Sequence, residues 1–257
     1  MQETRGPRNG APVDDIPIPP RYTVAGSHPR TTPMKLYSGD LSPYSAKVRM
    51  QIYAKGIEDI ALERPATFPT PAWRETSPLG RIPVLELAPG DVIPESEVIS
   101  EYLEEICPEP RLLGATPRET AAIRTLSRLA DIYLLNNMFM LSGQTRRSTR
   151  SEAVRDLLAG QVLRGVGALE KMIGEGGYAV SGRLTLADCT LAPALFMVEN
   201  VLPSTDTPDP IPDHPKVAAY WAAIQREPSA AKVLVELHRG LAERRQLIRD
   251  AAAKAAG

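Results

Sequence analysis

Residues 77–87 read Ser-Pro-Leu-Gly-Arg-Ile-Pro-Val-Leu-Glu-Leu, and this stretch leads into a predicted β-hairpin. Pro83–Leu87 and Asp91–Ile93 have the apolar composition of short strands, with the turn residues Ala-Pro-Gly between them. A proline at the start of a buried strand is compatible with a cis peptide bond and, equally, with an ordinary edge strand. A cis bond would expose the backbone of Ile82, which could then pair with an extended peptide.

The residues around this hairpin complete the pattern of a small α/β unit. In chain order, the predicted elements are a strand at Met34–Tyr37, a helix at Pro43–Lys55, a strand at 60–64, a short helix at 70–77, the hairpin, and a helix at Ser96–Ile106. Gly56 stands where a C-terminal glycine ends a helix. The order β-α-β-α-β-β-α predicts a mixed sheet with one parallel crossover, and we assign it to residues 34–108.

Two proline-rich segments flank this unit, and a long helical part follows. Residues 1–33 are rich in proline and poor in large apolar residues, so we predict an extension without a core of its own. An arm that packs on the body or across a dimer is the alternative. After a linker at 108–117 only helical periodicity is present, which predicts an all-helical domain at 117–257.

The composition argues against several classes of function. Thirty Lys and Arg against 31 Asp and Glu give a net charge of -1, which offers no attraction for nucleic acid or an anionic membrane. The two cysteines and three histidines lack the spacing of a disulfide framework or a metal site. No apolar run is long enough to cross a bilayer, and the N-terminus lacks the apolar core of a secretory signal. We therefore expect a cytoplasmic protein without a metal.

Ser42-Pro43-Tyr44-Ser45 places a hydroxyl at the start of a predicted helix. Serine followed by proline at the first helical position is an N-cap signature, so Ser42 is compatible with a purely structural role. A helix N-terminus also stabilises anions through its free backbone N–H groups and its dipole. A thiolate is such an anion, and Ser42 is therefore a candidate for thiolate stabilisation as well.

A second candidate anion site lies between the last predicted strand and the last helix of the α/β unit. We predict that Ser96 caps this helix, whose start would again favour an anion. Glu95 beside it offers a carboxylate for an ammonium group. An amino acid head group carries both charges, although a capped helix with a solvated glutamate has the same sequence.

In this order, the motifs resemble those of the glutathione-transferase family. The matching stretches of the α/β unit are SPYSAKVR at 42–49, SPLGRIPVLEL at 77–87 and PESEVISEYLEE at 94–105. Those of the helical part are GRLTLADCTLAPAL at 182–195, which resembles the family's capping box, and DHPKVAAYWAAIQREPSAAKVL at 213–234. The resemblance covers about residues 34–240. It implies a thioredoxin-like βαβαββα domain followed by a helical bundle domain, in a homodimer.

The resemblance also implies the roles of the candidate residues. Ser42 would activate the thiol of glutathione, the co-substrate. The implied glutathione-binding residues are Arg81 for the glycyl carboxylate, Ile82 and cis Pro83 for the cysteinyl unit, and Glu95 and Ser96 for the γ-glutamyl head.

Three departures from related classes limit the chemistry. The classes that form mixed disulfides carry cysteine where this chain has Ser42, so we expect no reaction through an enzyme cysteine. Other classes use a tyrosine on the first strand, which makes Tyr37 the reserve candidate. Zeta-type isomerases have a Ser-Ser-Cys core, and Pro43 and Tyr44 replace its second and third members, which weakens the isomerase interpretation.

We therefore predict a glutathione transferase that directs the thiolate to an electrophilic, apolar or aromatic small molecule. Candidate residues for the pocket of this second substrate are Tyr44, Tyr133, Asn137 and Met140, whose spacing equally suits core or dimer contacts. A glutathione-dependent isomerase, dehalogenase or ether-cleaving enzyme starts from the same thiolate and is an alternative. Another alternative is a non-catalytic relative that binds proteins.

Overall fold

The computed structural model describes residues 33–145 and 148–256. The proposed N-terminal extension therefore lies outside the described residues, apart from Pro33. The strands are β1 (Met34–Tyr37), β2 (Ile60–Glu63), β3 (Val84–Ala88) and β4 (Asp91–Pro94). The helices of the α/β part are α1 (Pro43–Lys55) and α2 (Ser96–Ile106), with a 3₁₀ helix at Pro71–Glu75. The elements follow the predicted order.

The four strands form one mixed sheet in the order β2-β1-β3-β4. β1 runs parallel to β2, with Met34 opposite Ile60, and antiparallel to β3, with Leu36 opposite Leu85. β3 and β4 form the predicted antiparallel hairpin. A parallel pair needs a crossover connection, which α1 supplies.

Helices α1 and α2 complete the core on the sheet. Leu36 and Leu85 of the central strands are fully buried together with Val48 of α1 and Ile99 of α2. Burial of one such side chain contributes about 1.5–3 kcal/mol relative to leaving it exposed. This packing fixes both helices on the same sheet, and with them the two helix starts that carry candidate site residues.

Two features of the backbone bear on the site. The Ile82–Pro83 peptide bond is cis and lies directly before β3. Helix α2 begins at Ser96, but its N-cap is Glu95, with φ 73° and ψ 115°. The prediction that Ser96 caps α2 was wrong, because the chain turns into the helix at Glu95 and Ser96 is already helical.

The helical part begins at residue 117. Its helices are α3 (Pro117–Leu129), α4 (Asn136–Leu141), α5 (Glu152–Met172), α6 (Leu186–Asn200), α7 (Pro215–Ile224) and α8 (Pro228–Ala256). A π-helical turn, Ala130–Leu135, joins α3 to α4 within the stretch of predicted helical periodicity. The side chain of Asn137 donates to the carbonyls of Ile132 and Tyr133 at 3.0 and 2.9 Å, and so satisfies backbone groups at this irregularity.

Helix α6 is buried along most of its length and packs against α1, α3 and α8. Helix α1 contributes to both cores, because Ala46 and Met50 pack with the helical part while Val48 and Ile52 pack with the sheet. The predicted fold class is confirmed: a thioredoxin-like α/β part is followed by a helical bundle.

Candidate functional site

Ser42 is the N-cap of α1 and is partly exposed. Its Oγ accepts a hydrogen bond from the backbone N–H of Ser45 at 3.2 Å. This bond uses only a lone pair of the hydroxyl, so the O–H proton can be donated to a further acceptor. The two interpretations of the sequence are therefore compatible, since Ser42 can cap the helix and also donate to an anion beside the helix start.

The loop before Ser42 is held by Arg49, which is 2% exposed. Its guanidinium donates to the backbone carbonyls of Gly39 and Asp40 at 3.0 and 3.2 Å. Its Nε donates to the Glu236 carboxylate on α8 at 2.7 Å. Buried charge-assisted bonds of this kind are among the stronger hydrogen bonds in proteins. A C-terminal helix thus fixes the loop that presents Ser42, which no local sequence pattern reveals.

Ile82 contacts the same loop. A Cβ atom at Gly39 would lie 3.0 Å from Cδ1 of Ile82, so the two residues are in close contact. The backbone carbonyl of the preceding Arg81 is fixed, because it accepts from Nε1 of Trp73 at 3.1 Å and from the Ser77 hydroxyl at 2.9 Å. Within the described part of the chain, the backbone of Ile82 has no hydrogen-bond partner. A bound peptide strand can therefore use it.

The start of α2 presents Glu95 and Ser96. Glu95 is exposed, and its φ of 73° is uncommon for a residue other than glycine. Its carboxylate makes no capping hydrogen bond, and Ser96 is buried behind it. Unusual backbone conformations of this kind concentrate at ligand sites. The pair combines an exposed carboxylate with an uncapped helix N-terminus.

The hydroxyl of Tyr44, at the start of α1, is influenced by charges from other parts of the site. Its hydroxyl donates to the carbonyl of Asp131 on the π turn, at a long 3.5 Å. Desolvation, with the charges of Asp131 and Glu95, raises the pKa of Tyr44 to about 12, although Arg128 and Arg81 oppose this shift. The Tyr44 hydroxyl therefore stays protonated at neutral pH, within reach of the charges of Glu95 and Arg81.

A buried charge cluster lies one turn into α1. Lys47 is fully buried, and its ammonium donates to Glu97 on α2 and to Asp131 on the π turn, the latter at 3.0 Å. Asp131 also accepts from Arg128 at 3.0 Å. Desolvation raises the pKa of Asp131, while Lys47 and Arg128 oppose this. The cluster joins the first turns of α1 and α2 to the helical part.

Tyr37, the reserve candidate, is engaged on the sheet. Its hydroxyl donates to the Glu86 carboxylate at 3.0 Å, and its ring packs edge-on against Trp73 with centroids 5.2 Å apart. Desolvation and the bond to Glu86 raise the pKa of Tyr37, which disfavours ionisation. Tyr37 is thus a partner of Glu86 rather than a free hydroxyl.

The residues predicted for the second-substrate pocket have different surroundings. Tyr133 lines a groove of about 540 Å³ between α3 and α5, whose lining includes no residue of the α/β part. Asn137 is 7% exposed and its amide supports the π turn, so its place in the pocket stays a prediction. Met140 is exposed near the end of α4. Only Tyr44 lies at the start of α1.

Sequence reasoning missed Phe139 on α4. The ring of Phe139 is half exposed, and Cζ of Arg81 lies 4.1 Å from its centroid. This contact joins the helical part to the segment before β3, and no local signal could have found it. Lys47 also escaped notice, because α1 buries several other polar side chains, among them Ser45, Arg49 and Gln51, and its sequence shows no apolar face on which a lysine would stand out.

Residues 33–145 and 148–256 are the part of the chain that the structure describes. In that part of the chain, no three His, Cys, Asp or Glu side chains are grouped so that they could hold a metal ion. None of its helices is both long and apolar enough to cross a membrane.

Family models match both parts of the chain. The glutathione S-transferase N-terminal domain matches residues 36–111, and the glutathione S-transferase C-terminal domain matches residues 152–223. The first match contains every candidate residue of the α/β part.

The individual relatives carry names that indicate different functions. The maleylacetoacetate isomerase of Pseudomonas aeruginosa is 33% identical over 173 residues, which cover 65% of this chain and 82% of that protein. The stringent starvation protein A homolog of Coxiella burnetii is 30% identical over 168 residues, 65% of this chain and 77% of that protein. A solved glutathione S-transferase from Methylobacillus flagellatus, with glutathione bound, has a TM-score of 0.69 and 25% identity, and the match covers 78% of this chain and 98% of that one.

Proposed function

Because the chain belongs to the glutathione S-transferase family, we propose that it is an enzyme that binds glutathione and activates its thiol at Ser42. The observation that carries this proposal is the geometry of Ser42, whose Oγ accepts from Ser45 while its own proton stays available. A thiolate at this position receives a hydrogen bond and the positive end of a helix dipole. The bound glutathione of the Methylobacillus flagellatus relative supports the same ligand here.

The remaining contacts follow from the chemistry of glutathione, a peptide with two carboxylates and one ammonium group. Ile82 pairs through its backbone with the cysteinyl unit, beside the cis Pro83. Glu95 accepts from the γ-glutamyl ammonium, and the start of α2 at Ser96 binds the neighbouring carboxylate. Arg81 binds the glycyl carboxylate.

The energy needed for thiol activation is modest. A free thiol has a pKa of about 8.5, so only a few per cent is ionised at neutral pH. Lowering this pKa by one or two units requires about 1.4 kcal/mol of differential stabilisation per unit. A hydrogen bond to a charged group contributes about 1.5–3 kcal/mol, and a helix N-terminus about 0.3–1 kcal/mol. Ser42 and α1 therefore suffice without a general base.

The thiol proton leaves to solvent, and the thiolate attacks an electrophilic carbon of an apolar or aromatic small molecule. In a substitution, the thioether forms as the leaving group departs with the electron pair of its bond to that carbon; in an addition, the neighbouring carbon takes up a proton from solvent. The protein contributes the ionised thiol and its proximity to that carbon. Isomerisation is the second candidate reaction, favoured by the relation to the Pseudomonas aeruginosa isomerase. Pro43 and Tyr44 argue against isomerisation, because they replace the second and third members of the zeta-type Ser-Ser-Cys core. Dehalogenation and ether cleavage begin with the same thiolate.

We also propose that the protein acts as a cytoplasmic homodimer. The groove between α3 and α5 exposes Ile132, Tyr133 and Met172, each more than 40% exposed. Apolar surface of this kind is typical of protein contacts. Light scattering on the purified protein should give the mass of two chains, and a monomeric mass would contradict the dimer.

Calorimetric titration with glutathione tests the proposed function. The wild type should bind glutathione, and Glu95→Gln should weaken binding by about tenfold or more, because a charge-assisted bond is lost. Glu105→Gln, also exposed and on α2, is the matched control and should bind as the wild type does. If the wild type does not bind millimolar glutathione, the proposal of a glutathione-dependent enzyme is contradicted. The alternative of a non-catalytic relative that binds proteins would then be favoured.

A further inference from the structure

Phe139 and Arg81 form a contact between the two parts of the chain. Cζ of Arg81 lies 4.1 Å from the centroid of the Phe139 ring, a cation–π geometry. Phe139 remains 50% exposed, so its ring is not a core residue whose position is fixed by packing alone. The contact therefore restricts the conformations of the exposed Arg81 side chain, which lies over the exposed ring of Phe139.

The backbone of Arg81 is anchored by hydrogen bonds, whereas its charged group lies on the Phe139 ring. Trp73 and Ser77 hold its carbonyl at 3.1 and 2.9 Å. Within the described residues, no carboxylate forms an ion pair with its guanidinium. A guanidinium that lies on an aromatic ring keeps its N–H groups at its edge, and this edge matches a planar carboxylate.

Arg81 also acts on the centre of the candidate site. Its charge lowers the pKa of the Tyr44 hydroxyl, while Glu95 raises it, so both act on a group two residues after Ser42. A cation that has no carboxylate partner among the described residues suits, at this place, an anionic end of the ligand whose ammonium Glu95 binds.

We propose that Phe139 is a positioning residue for the glycyl carboxylate of glutathione, holding Arg81 so that its edge N–H groups face that carboxylate. The inference rests on the proposed function, which assigns Arg81 to the same group. Without the ring, Arg81 samples more rotamers, and binding must order it again. The helical part then contributes to glutathione affinity, in addition to the second-substrate pocket.

The test compares two ligands that differ only at the glycyl carboxylate: glutathione and its glycyl ethyl ester. Phe139→Leu should weaken glutathione binding about three- to tenfold, and should leave binding of the ester within about twofold of the wild type. Phe139→Tyr keeps an aromatic face and should retain wild-type affinity for both ligands. In an Arg81→Met background, Phe139→Leu should add less than a twofold loss, because methionine has no charged group for the ring to hold.

The outcomes separate this inference from the function on which it rests. Equal losses for glutathione and its ester would overturn the inference, as would unchanged glutathione affinity in Phe139→Leu or a full additive loss in the Arg81→Met background. If the wild type binds neither ligand, both the proposed function and this inference are contradicted. Near-ultraviolet circular dichroism of each variant checks that the native packing is kept.

Discussion

The starts of α1 and α6 use the same device, a hydroxyl residue ahead of the helix, in opposite environments. Ser42, before α1, is partly exposed and accepts a single hydrogen bond, from Ser45. Thr185, before α6, is fully buried. Its backbone N–H and its hydroxyl both donate to the Asp188 carboxylate at 2.8 Å, which also accepts from the backbone N–H of Ala179 at 2.8 Å.

The difference shows how one local motif can serve either folding or ligand binding. At α6 the polar groups named above are paired within the protein and buried, so the motif stabilises the bundle. At α1 the hydroxyl keeps a proton to donate and lies where a ligand can reach it. Burial and unused donors, rather than the cap itself, decide which role a helix start plays.

The largest effect is expected at α6. Asp188→Ala leaves the donors of Thr185 and Ala179 buried without an acceptor, and should lower the free energy of unfolding by about 4 kcal/mol. Urea unfolding measures this. A loss below about 1 kcal/mol would show that the buried cap is no more important to the fold than the exposed one.

The pH dependence of stability sharpens the same comparison. Desolvation raises the pKa of Asp188 to about 6 from 3.8, against the bonds from Ala179 and Thr185. Between about pH 4 and pH 6 the native state then binds more protons than the unfolded state, so the free energy of unfolding falls as the pH rises, by about 3 kcal/mol in total. Asp188→Asn removes this titration, so its curve should lack that fall. Parallel curves for the two proteins would contradict the raised pKa.

A smaller effect on stability is expected at α1. Ser42→Ala loses an exposed N-cap, which costs about 1 kcal/mol. The same urea experiment that tests Asp188→Ala gives the comparison directly. If Ser42→Ala destabilised the protein as much as Asp188→Ala does, Ser42 would be primarily a folding residue.

The smallest effect is expected for the other hydroxyl near the start of α1. The Tyr44 hydroxyl makes a long bond of 3.5 Å to the carbonyl of Asp131. Tyr44→Phe should therefore change the free energy of unfolding by less than about 1 kcal/mol. It should also leave the thiol pKa of bound glutathione unchanged. A loss of thiolate in Tyr44→Phe would move the activating role from Ser42 to Tyr44.

Much of the fold was predictable because its signals are local. The bounds of β1, α1 and α2 follow from periodicity, the Ser-Pro helix start and Gly56, whose φ of 63° ends α1 as predicted. The π turn was not predictable, because apolar spacing is nearly the same in a continuous helix. The cap of α2 was misplaced because Glu95 adopts a conformation that its residue type disfavours.

The candidate site was only partly predictable for a related reason. Ser42, Ile82, Pro83 and Glu95 stand in short motifs, so sequence alone pointed to them. The residues that position them act across long separations, as Arg49 does with Glu236 and Arg81 with Phe139. Spacing on one helix could not separate such contacts from core packing, as Asn137 shows, whose amide donates to backbone carbonyls of the π turn.

The most direct test of the central claim is an ultraviolet absorbance titration of the thiolate of bound glutathione, in the wild type and in Ser42→Ala. We expect the wild type to lower the thiol pKa of bound glutathione by one to two units from about 8.5. In Ser42→Ala the pKa should return close to the free value, while the affinity for glutathione stays within about threefold. An equally lowered pKa in both proteins would contradict the claim that the Ser42 hydroxyl stabilises the thiolate.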